Sequence, residues 1–232
     1  MSEYLTGPAP SLRDASESLL RTLITRTFKN RIALVSSFGA ESAVLLHMVA
    51  TINPHTPVLF LDTGKLFSET LRYRDHLISQ LKLTNIRTLT PDKAQVSATD
   101  SDGMLWSRDA DLCCQIRKVE PLQRALQGFD AWINGRKAHH GGERDALPLL
   151  ELDGPRIKVT PLAQWRAEDV DAYVATYKLP PHPLVEDGFL SIGCVPCTRR
   201  IAPGADIRSG RWANSAKTEC GLHTISNKAA GI

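Results

Sequence analysis

IALVSSFGAESAVLLHMV, residues 32–49, contains one complete change from strand to helix. Its first four residues form an apolar run of the kind found in buried strands. A turn of mostly small residues follows at Ser36–Gly39, and apolar residues then recur at Ala43, Leu46 and Val49 with helical spacing. The stretch therefore predicts a strand, a small-residue turn and a helix.

The same alternation continues along the chain and predicts an α/β fold. Further apolar runs are typical of strands, at residues 58–61, 87–90, 131–133 and 157–159. Stretches with helical period lie between and after them, at residues 66–81, 109–127 and 167–174. Because strands that alternate with helices pair in parallel, we expect a Rossmann-like parallel sheet flanked by helices. Pro121 is expected to kink or divide its helix.

The chain changes character after Leu179. Regular structure is expected to be scarce in the last 50 or so residues, because they contain five prolines and, between Gly188 and Gly221, five glycines. We therefore expect a single domain in three parts, namely an N-terminal helical extension at 1–28, an α/β core at 29–187 and an irregular C-terminal lid segment at 188–232.

The composition is that of an ordinary globular protein. Of 232 residues, 42% are hydrophobic and 23% are charged, which argues against disorder. The formal net charge of +3 is too small to indicate a nucleic-acid or polybasic membrane protein. Glu41 and several other polar residues interrupt the longest apolar stretch, and the first twenty residues do not resemble a secretory signal. We expect a cytoplasmic protein with no membrane or nucleic-acid partner.

Four of the five cysteines come in two pairs. Cys113 and Cys114 are adjacent, and Cys194 and Cys197 form a CxxC. In a reducing compartment such cysteines indicate metal binding or catalysis rather than disulfides. Two pairs of thiolates suit a 4Fe-4S cluster or a zinc ion, and the adjacent pair favours the cluster because a cube accommodates divergent sulfur positions. An inert buried pair with a separate redox-active CxxC is the third interpretation.

The fifth cysteine, Cys220, lies next to Gly221 and three residues before His223. A thiol near a histidine is a candidate nucleophile, although an exposed spare thiol would show the same pattern. Residues 199–217 carry five basic residues and one acid, a net charge of +4. This run is either a solvated surface or a clamp for a small anion, and its place between the CxxC and Cys220 favours the clamp.

Two turns at predicted strand ends are candidate anion sites. Ser36–Ser42 joins a strand to a helix N-terminus, where backbone N–H groups and the helix dipole attract phosphate. Asp62–Gly64 follows the next strand, and ligands bind at the carboxyl ends of strands in open α/β sheets. Ordinary turns capped by serine would contain the same residues.

Taken together, these motifs resemble one family, the assimilatory adenylylsulfate (APS) and phosphoadenylylsulfate (PAPS) reductases, which have an adenine nucleotide alpha hydrolase-like fold. The similarity extends from about Ile32 to His223, most of the chain. It rests on four segments: Ser36–Ser42, Leu61–Gly64, Arg144–Pro148 and Glu219–His223. The two cysteine pairs resemble the cluster-bearing branch, which mostly uses APS.

The resemblance implies one 4Fe-4S cluster and a defined reaction in sulfate assimilation and cysteine biosynthesis. Cys220 would attack the sulfur of APS, AMP would leave, and thioredoxin or a glutaredoxin-like protein would release sulfite from the S-sulfocysteine. Only nine residues follow His223, so the electron donor is expected to be a separate protein. The sequence leaves open whether the protein is a homo-oligomer.

The resemblance also implies a role for each motif residue. The cluster ligands are Cys113, Cys114, Cys194 and Cys197. The catalytic residues are Cys220, His223 and Lys118. The substrate-binding residues are Ser36, Ser37, Phe38, Gly39, Ser42, Asp62, Thr63, Gly64, Lys137, Arg144, Arg208 and Arg211.

Two departures from the family pattern bear on substrate contacts. The loop after Gly135 usually contains two basic residues and a glutamine, but here Ala138 follows Lys137 and His140 replaces the glutamine. The region after Arg211 and Trp212 often holds further tryptophans, which are missing here. His139 and His140 are candidate metal ligands, although solvated or hydrogen-bonded loop histidines are the commoner case.

Three alternative functions remain open at this point. A PAPS-preferring or dual-specificity reductase would differ only in a pocket for the 3′-phosphate. An ATP pyrophosphatase of the same fold would carry Ser-Gly-Gly-x-Asp-Ser, where this chain has Phe38 in place of the first glycine. A non-catalytic iron-sulfur redox sensor would keep its function when Cys220 is replaced by serine.

Overall fold

Six short strands form one sheet in the computed structural model, which describes residues 11–141, 144, 146–213, 217–219 and 221–223. The order across the sheet is β3-β2-β1-β4-β6-β5. Only β5 runs antiparallel to its neighbour. The strands are β1 (Ile32–Ser36), β2 (Val58–Leu61), β3 (Ile86–Leu89), β4 (Ala131–Ile133), β5 (Leu150–Asp153) and β6 (Arg156–Val159).

Eight α-helices accompany these strands in the described part of the chain. They are α1 (Leu12–Thr22), α2 (Ser42–Ile52), α3 (Ser68–Gln80), α4 (Lys93–Thr99), α5 (Leu105–Arg108), α6 (Ala110–Cys114), α7 (Glu120–Ala125) and α8 (Ala167–Tyr177). The first helix begins at a side-chain cap, because Ser11 Oγ accepts a hydrogen bond from the Asp14 N–H.

The central strands are buried on both faces. In β1, Ile32 and Leu34 pack into one apolar cluster, whereas Ala33 packs into a second cluster on the opposite face. In β4, Ala131 and Trp132 divide between the same two clusters. Residues of α1, α2, α3 and α8 cover the first face and residues of α7 cover the second. The predicted α/β fold, a mostly parallel sheet flanked by helices, is therefore confirmed.

The antiparallel strand β5 is absent from the sequence-based prediction. It pairs with β6 so that Asp153 lies opposite Arg156, which leaves Gly154 and Pro155 as a two-residue turn. Gly154 has φ of +60°, the left-handed conformation that such a turn requires and that glycine adopts without strain. The alternation Leu-Glu-Leu-Asp before this glycine is the signal that could have revealed the hairpin.

The predicted helix at 109–127 forms as two helices joined by a wider turn. Between α6 and α7, residues Gln115–Val119 form a π-helical segment, and the Glu120 N–H bonds to the Gln115 carbonyl. Pro121 follows directly and has no N–H with which to continue an α-type ladder from the preceding turn. The chain therefore accommodates the proline by widening one turn rather than by ending the helix.

The described part of the chain after Leu179 is irregular, as predicted. Its regular pieces are two 3-10 turns, Pro183–Val185 and Val195–Cys197, and two isolated bridges. One bridge joins Cys194 to Leu66, which follows β2, so this segment is attached to the carboxyl end of the sheet.

His182 is fully buried and anchors the beginning of the irregular region that follows Leu179. Its Nδ1 accepts a hydrogen bond from the Leu184 N–H at 3.2 Å, so the ring proton lies on Nε2, 3.0 Å from Thr70 Oγ1. Burial lowers the pKa of His182 to about 4, because the charged ring would lose its hydration.

We expect His182 to make folding sensitive to mild acid. Between pH 6.5 and 4 the unfolded chain binds a proton at this residue and the folded chain does not, so stability falls as the pH falls. From pH 7.5 to 5.5 the loss should be about 1.4 kcal/mol in the free energy of unfolding. In His182→Asn, whose side-chain oxygen can still accept the Leu184 N–H, this component should vanish. Anaerobic urea unfolding at both pH values checks it, and equal pH dependence of the two proteins would contradict it.

Candidate active site

A cavity of about 240 Å³ lies at the carboxyl ends of β1 and β4. These two strands are neighbours, and the strand order runs outward from them in both directions, which makes this the switch point of the sheet. Residues that follow β1, including Ser37 and Gly39, form one wall, and Asn134 and Gly135 after β4 form another. The topology therefore opens the cavity where ligands bind in sheets of this kind.

The turn after β1 is shaped by its backbone. Ser36 Oγ accepts a hydrogen bond from the Phe38 N–H at 3.2 Å, and Phe38 has φ of +50°. Its side chain is fully buried and packs edge-on against Phe60, with ring centroids 5.4 Å apart, so it does not line the cavity. A Cβ on Gly39 would lie 3.2 Å from the Ile192 carbonyl oxygen, so a glycine lets this turn approach the C-terminal segment. Ser36, Ser37, Gly39 and Ser42 all line the cavity.

The turn after β2 contacts the CxxC pair. Asp62 Oδ1 accepts a hydrogen bond from the Gly64 N–H at 2.9 Å, and neither residue lines the cavity. Thr63 lines it, and its hydroxyl lies 3.2 Å from Cys194 Sγ. This turn therefore connects the sheet to the CxxC pair.

Six basic side chains line the cavity among the described residues, against two acids. The basic residues are Lys118, Arg136, Lys137, Arg144, Arg208 and Arg211, and the acids are Glu41 and Glu219. Like charges this close repel more strongly in a partly desolvated cavity than in water. The excess of positive charge makes the cavity a strong site for an anion that carries more than one negative charge.

Lys137 and His140 form a network with Glu41. Lys137 Nζ lies 2.6 Å from Glu41 Oε2. Arg144 Nη1 lies 3.1 Å from His140 Nδ1, and because a guanidinium only donates, the ring proton of His140 lies on Nε2, 3.1 Å from Glu41 Oε2. Burial alone would raise the pKa of Glu41, but His140 and the ammonium of Lys137 lower it well below its usual range. Glu41 is therefore a carboxylate whose charge is already compensated.

This network also contains the one group of three possible metal ligands found in the described residues. Glu41, His139 and His140 have ligand atoms within 4.8 Å of one another. His139 Nδ1 donates to the Trp165 carbonyl at 2.7 Å, which orients its ring. However, Lys137 already neutralises the carboxylate and the proton of His140 occupies Nε2. Among the described residues, the buried Nε2 atoms of His139 and His140 nevertheless make no hydrogen bond of good geometry, so the network is not fully satisfied.

A second charged layer lies beneath the cavity, on β5 and β6. Lys158 is fully buried, with Nζ 3.0 Å from Glu151 and 5.5 Å from the ring centre of Trp132. Arg136 Nη2 lies 2.5 Å from the same Glu151. Burial lowers the pKa of Lys158, and the nearby Arg136 lowers it further. The pairing with Glu151 keeps the two cations close to each other beneath the site.

The C-terminal residues Leu222 and His223 line the same cavity. The imidazole of His223 stacks on Trp132, with ring centroids 5.9 Å apart and planes inclined by 14°. Burial lowers the pKa of His223 well below its ordinary value, and the cations Arg136 and Lys158 add to the effect. His223 is thus a neutral imidazole at neutral pH. Cys220, the predicted nucleophile, lies outside the described residues.

The four paired cysteines meet in a small adjacent pocket. Cys113, Cys114, Cys194 and Cys197 all line it, and none of the four forms a disulfide. Lys118 lines both this pocket and the large cavity, so one ammonium group lies between the two. Burial raises the pKa of Cys113, whereas at Cys194 the ammonium of Lys118 and the Thr63 hydroxyl outweigh burial and lower the pKa.

A buried ion pair braces the helix that carries Cys113 and Cys114. Arg117 Nη2 lies 2.6 Å from Asp100 Oδ2, and Arg117 Nη1 donates to the Thr63 carbonyl at 2.9 Å. Asp100 Oδ1 also accepts the Leu105 N–H at 2.7 Å. The pair therefore ties the π-helical segment to the turn after β2 and fixes the first cysteine pair relative to the second.

Arg211 is positioned by contacts with the CxxC segment. Its Nε donates to the Cys197 carbonyl at 3.2 Å, and its guanidinium lies 4.3 Å from the ring centre of Trp212. A Cβ on Gly193 would overlap this guanidinium, so the absence of a side chain at Gly193 provides the space that Arg211 occupies. Arg208 lies 5.8 Å from the same tryptophan ring.

Several residues of the site were not found from the sequence. Sequence reasoning passed over the residues that support or complete the charged walls, namely Glu41, Asp100, Arg117, Trp132, Arg136, Glu151, Lys158 and Glu219. Glu41 and Glu219 lie inside the motif segments Ser36–Ser42 and Glu219–His223, and Arg136 lies next to Lys137, which is a usable signal. The other five contact the site through partners far away in the chain, and no local pattern marks them.

Residues 31–200 match the family model for the phosphoadenosine phosphosulfate reductase domain. The chain belongs to this family. An adenosine 5′-phosphosulfate reductase of Chelativorans sp. is 51% identical over 211 residues, which cover 90% of this chain and 86% of the relative. A protein of the same name from Mesorhizobium japonicum is 52% identical and covers 84% and 77%. One from Streptomyces coelicolor is 40% identical and covers 91% and 90%.

Solved structures show the same architecture. The PAPS reductase of Candida auris, in a phosphate complex, superposes with a TM-score of 0.68 at 26% identity, covering 82% of this chain and 93% of that one. The FMN adenylyltransferase of Candida glabrata has a TM-score of 0.58 at 16% identity, covering 94% and 81%, and shows similarity of fold alone. Among the described residues of this reductase-family chain, no helix is both long and apolar enough to span a membrane.

We expect Gly193→Ala to act through Arg211. The new methyl group should displace the guanidinium from the cavity without unfolding the chain, because the atoms it meets are the end of a flexible side chain. The affinity for AMP should fall to about that of Arg211→Ala, roughly tenfold below wild type. The double variant should bind no more weakly than Arg211→Ala alone. Calorimetric titration with AMP measures all four proteins, and additive losses would show that Gly193 acts by another route.

Proposed function

We propose that this protein is an APS reductase that converts adenylylsulfate to sulfite and AMP in sulfate assimilation, with a dithiol protein as the electron donor. Three relatives named adenosine 5′-phosphosulfate reductase, identical at 40–52% over most of this chain, support the reaction class. The observation that carries the proposal is the cationic cavity at the switch point of the sheet, with the docked segment Leu222–His223 in its wall.

The reaction proceeds in two displacements. The thiolate of Cys220 attacks the sulfur atom of the substrate, the bond from that sulfur to the bridging phosphate oxygen breaks, and AMP leaves with the electron pair. The enzyme then carries an S-sulfocysteine. A thiolate of the donor, of the thioredoxin or glutaredoxin type, attacks the Cys220 sulfur, sulfite leaves with the electron pair, and a mixed disulfide forms. The second donor thiol then attacks the donor sulfur of this mixed disulfide, the Cys220 thiolate leaves, and the donor is oxidised to a disulfide.

The cationic wall makes the first displacement feasible. An anionic thiolate must approach an anionic sulfonate, while negative charge increases on the departing phosphate. Lys118, Arg144, Arg208 and Arg211 offset both charges, since all four line the cavity. Lys137 is paired with Glu41 and therefore orients the wall more than it adds free charge.

The neutral imidazole of His223 suits a site that handles a thiolate. An imidazolium would be one more cation among those already present. Burial, together with Arg136 and Lys158, lowers the pKa of His223 and so disfavours this charged form. Stacking on Trp132 orients the ring three residues after Cys220. We assign His223 the role of a neutral hydrogen-bonding group near the thiol, because protonation of its buried ring is disfavoured.

The four paired cysteines fit a 4Fe-4S cluster. They surround one pocket without forming disulfides, and the cations Lys118 and Arg117 line that pocket as well, which offsets the charge of four thiolates. When bound, the cluster would order the site and contribute to its electrostatic field.

The spacing of the sulfur atoms favours the cluster over zinc. Four thiolates around one zinc ion, at about 2.3 Å each, would lie roughly 3.8 Å from one another. In the described residues the one metal-sized group consists of Glu41, His139 and His140, so no three of these cysteine sulfurs lie within 4.8 Å of each other. A wider ligand set suits a cube whose ligands bind four separate iron atoms.

We expect Cys220→Ser to abolish sulfite formation while AMP still binds with about the wild-type affinity. The hydroxyl is a far poorer nucleophile at neutral pH, whereas the cationic wall is unchanged. Anaerobic assays with APS and reduced thioredoxin, together with an AMP titration, give the two readings. A wild-type holoprotein that forms no sulfite from APS would contradict the proposed function. Parallel assays on PAPS determine whether the 3′-phosphate is accepted, as in the PAPS reductase of Gloeobacter violaceus, which is 41% identical.

Iron content tests the division of the five cysteines. Anaerobically purified wild-type protein should contain about four irons per chain, with the visible absorption of a 4Fe-4S cluster. Cys197→Ser should lose most of this iron, because one ligand is removed, and Cys220→Ser is the matched control that should retain it. Zinc in place of iron, or equal iron loss in both variants, would contradict the assignment.

A further inference from the structure

The carboxylate of Glu219 is held in the cavity by two arginines. Arg144 Nε lies 2.5 Å from Glu219 Oε1 and Arg144 Nη2 lies 3.0 Å from Oε2, so the contact is bidentate. Arg208 Nη2 lies 3.4 Å from Oε1. The side chain of Glu219 is 9% exposed and that of Arg144 10% exposed, so the pair is largely removed from water.

This contact occupies the Nε and Nη2 edge of Arg144. The remaining nitrogen, Nη1, lies 3.1 Å from His140 Nδ1, which accepts its hydrogen bond. A guanidinium binds sulfate and phosphate groups with the same paired donors that bind a carboxylate. A ligand therefore cannot use this edge of Arg144 for a bidentate contact while Glu219 keeps it.

We propose that Glu219 is an internal anion that occupies the anion-binding position of Arg144, and that a sulfate or phosphate group of the ligand displaces it. The inference rests on the proposed function, in which this cavity binds a sulfonucleotide. Glu219 is then a positioning residue with an exchangeable contact rather than a permanent structural ion pair.

The physical balance makes such an exchange feasible. Breaking a buried ion pair is costly when one charge stays buried and unpaired. Here the incoming anion takes over the guanidinium at once, and the released carboxylate regains hydration. Burial would raise the pKa of Glu219, but Arg144 and Arg208 outweigh it and lower the pKa, so the competing group is a charged carboxylate at neutral pH.

The chain position of Glu219 gives the exchange a consequence for catalysis. Glu219 immediately precedes Cys220 in the sequence. On the other side, the carbonyl of His223 lies 3.5 Å from Lys158 Nζ, and its ring stacks on Trp132. The arrival of the anion therefore alters a contact one residue from the nucleophile, while the contacts of His223 do not involve Arg144.

Equilibrium binding to Glu219→Gln tests the proposal. Cluster-loaded protein without an electron donor is titrated with AMP and, separately, with inorganic sulfate. Because a neutral amide competes more weakly for a guanidinium than a carboxylate does, at least one probe should bind about tenfold more tightly than to wild type. Glu219→Asp, which keeps the charge, should not show this gain. Glu69→Gln, which removes the partner of Arg72 on the exposed face of α3, is the matched control and should bind as wild type does.

Unchanged or weaker binding of both probes to Glu219→Gln would overturn the proposal, because Glu219 would then orient Arg144 without competing. Iron content and the urea unfolding midpoint, measured for every variant, show whether each protein is folded. If Glu219→Gln fails to fold, the same comparison is made with Glu219→Ala, which removes the competing carboxylate altogether and should tighten binding of at least one probe, with Glu219→Asp kept as the charge-retaining control. Sulfite formation from APS by wild type is scored separately, so failure of the proposed reaction leaves this affinity ratio interpretable.

Discussion

The parallel pairing of β1 with both β2 and β4 is the constraint on which the rest of the structure depends. It brings the carboxyl ends of three strands to one edge, and each strand delivers its following turn to the same region. Ser36–Ser42 arrives from β1, Thr63 from β2 and the loop of Arg136 and Lys137 from β4. The C-terminal segment then attaches at this edge through the bridge between Leu66 and Cys194. One sheet register thus sets the relative positions of both pockets.

Charge compensation is the second organising feature. At 4 Å, two like charges repel by about 4 kcal/mol at the effective dielectric constant of a protein surface. The molecule tolerates its cationic cavity because partly buried carboxylates lie among the cations, with Glu41 beside Lys137, Glu151 beside Arg136 and Lys158, and Glu219 beside Arg144. The last carboxylate differs from the others, because it belongs to the segment that carries the proposed nucleophile.

The sequence was sufficient for features whose signal is local. The apolar runs predicted β1, β2 and β4, because a strand buried on both faces has no polar side, and spacing alone paired the four cysteines. The edge strand β5 was not predicted, because its pattern is not that of a strand buried on both faces. Leu150 and Leu152 are exposed there. Likewise Arg144 and Glu219 are 75 positions apart, and only the folded chain shows that they meet.

The wide turn at Gln115–Val119 also restricts how this chain can change its length. Successive residues of an α-helix are separated by about 100° of rotation. Deleting one residue from this turn would restore ordinary α-type bonding, but it would turn α6 by about that angle relative to α7 and carry Cys113 and Cys114 away from Cys194 and Cys197. The length of this segment is therefore constrained by the position of the cysteines, just as the cysteines themselves are. Insertions and deletions should be tolerated less here than in the surface loops.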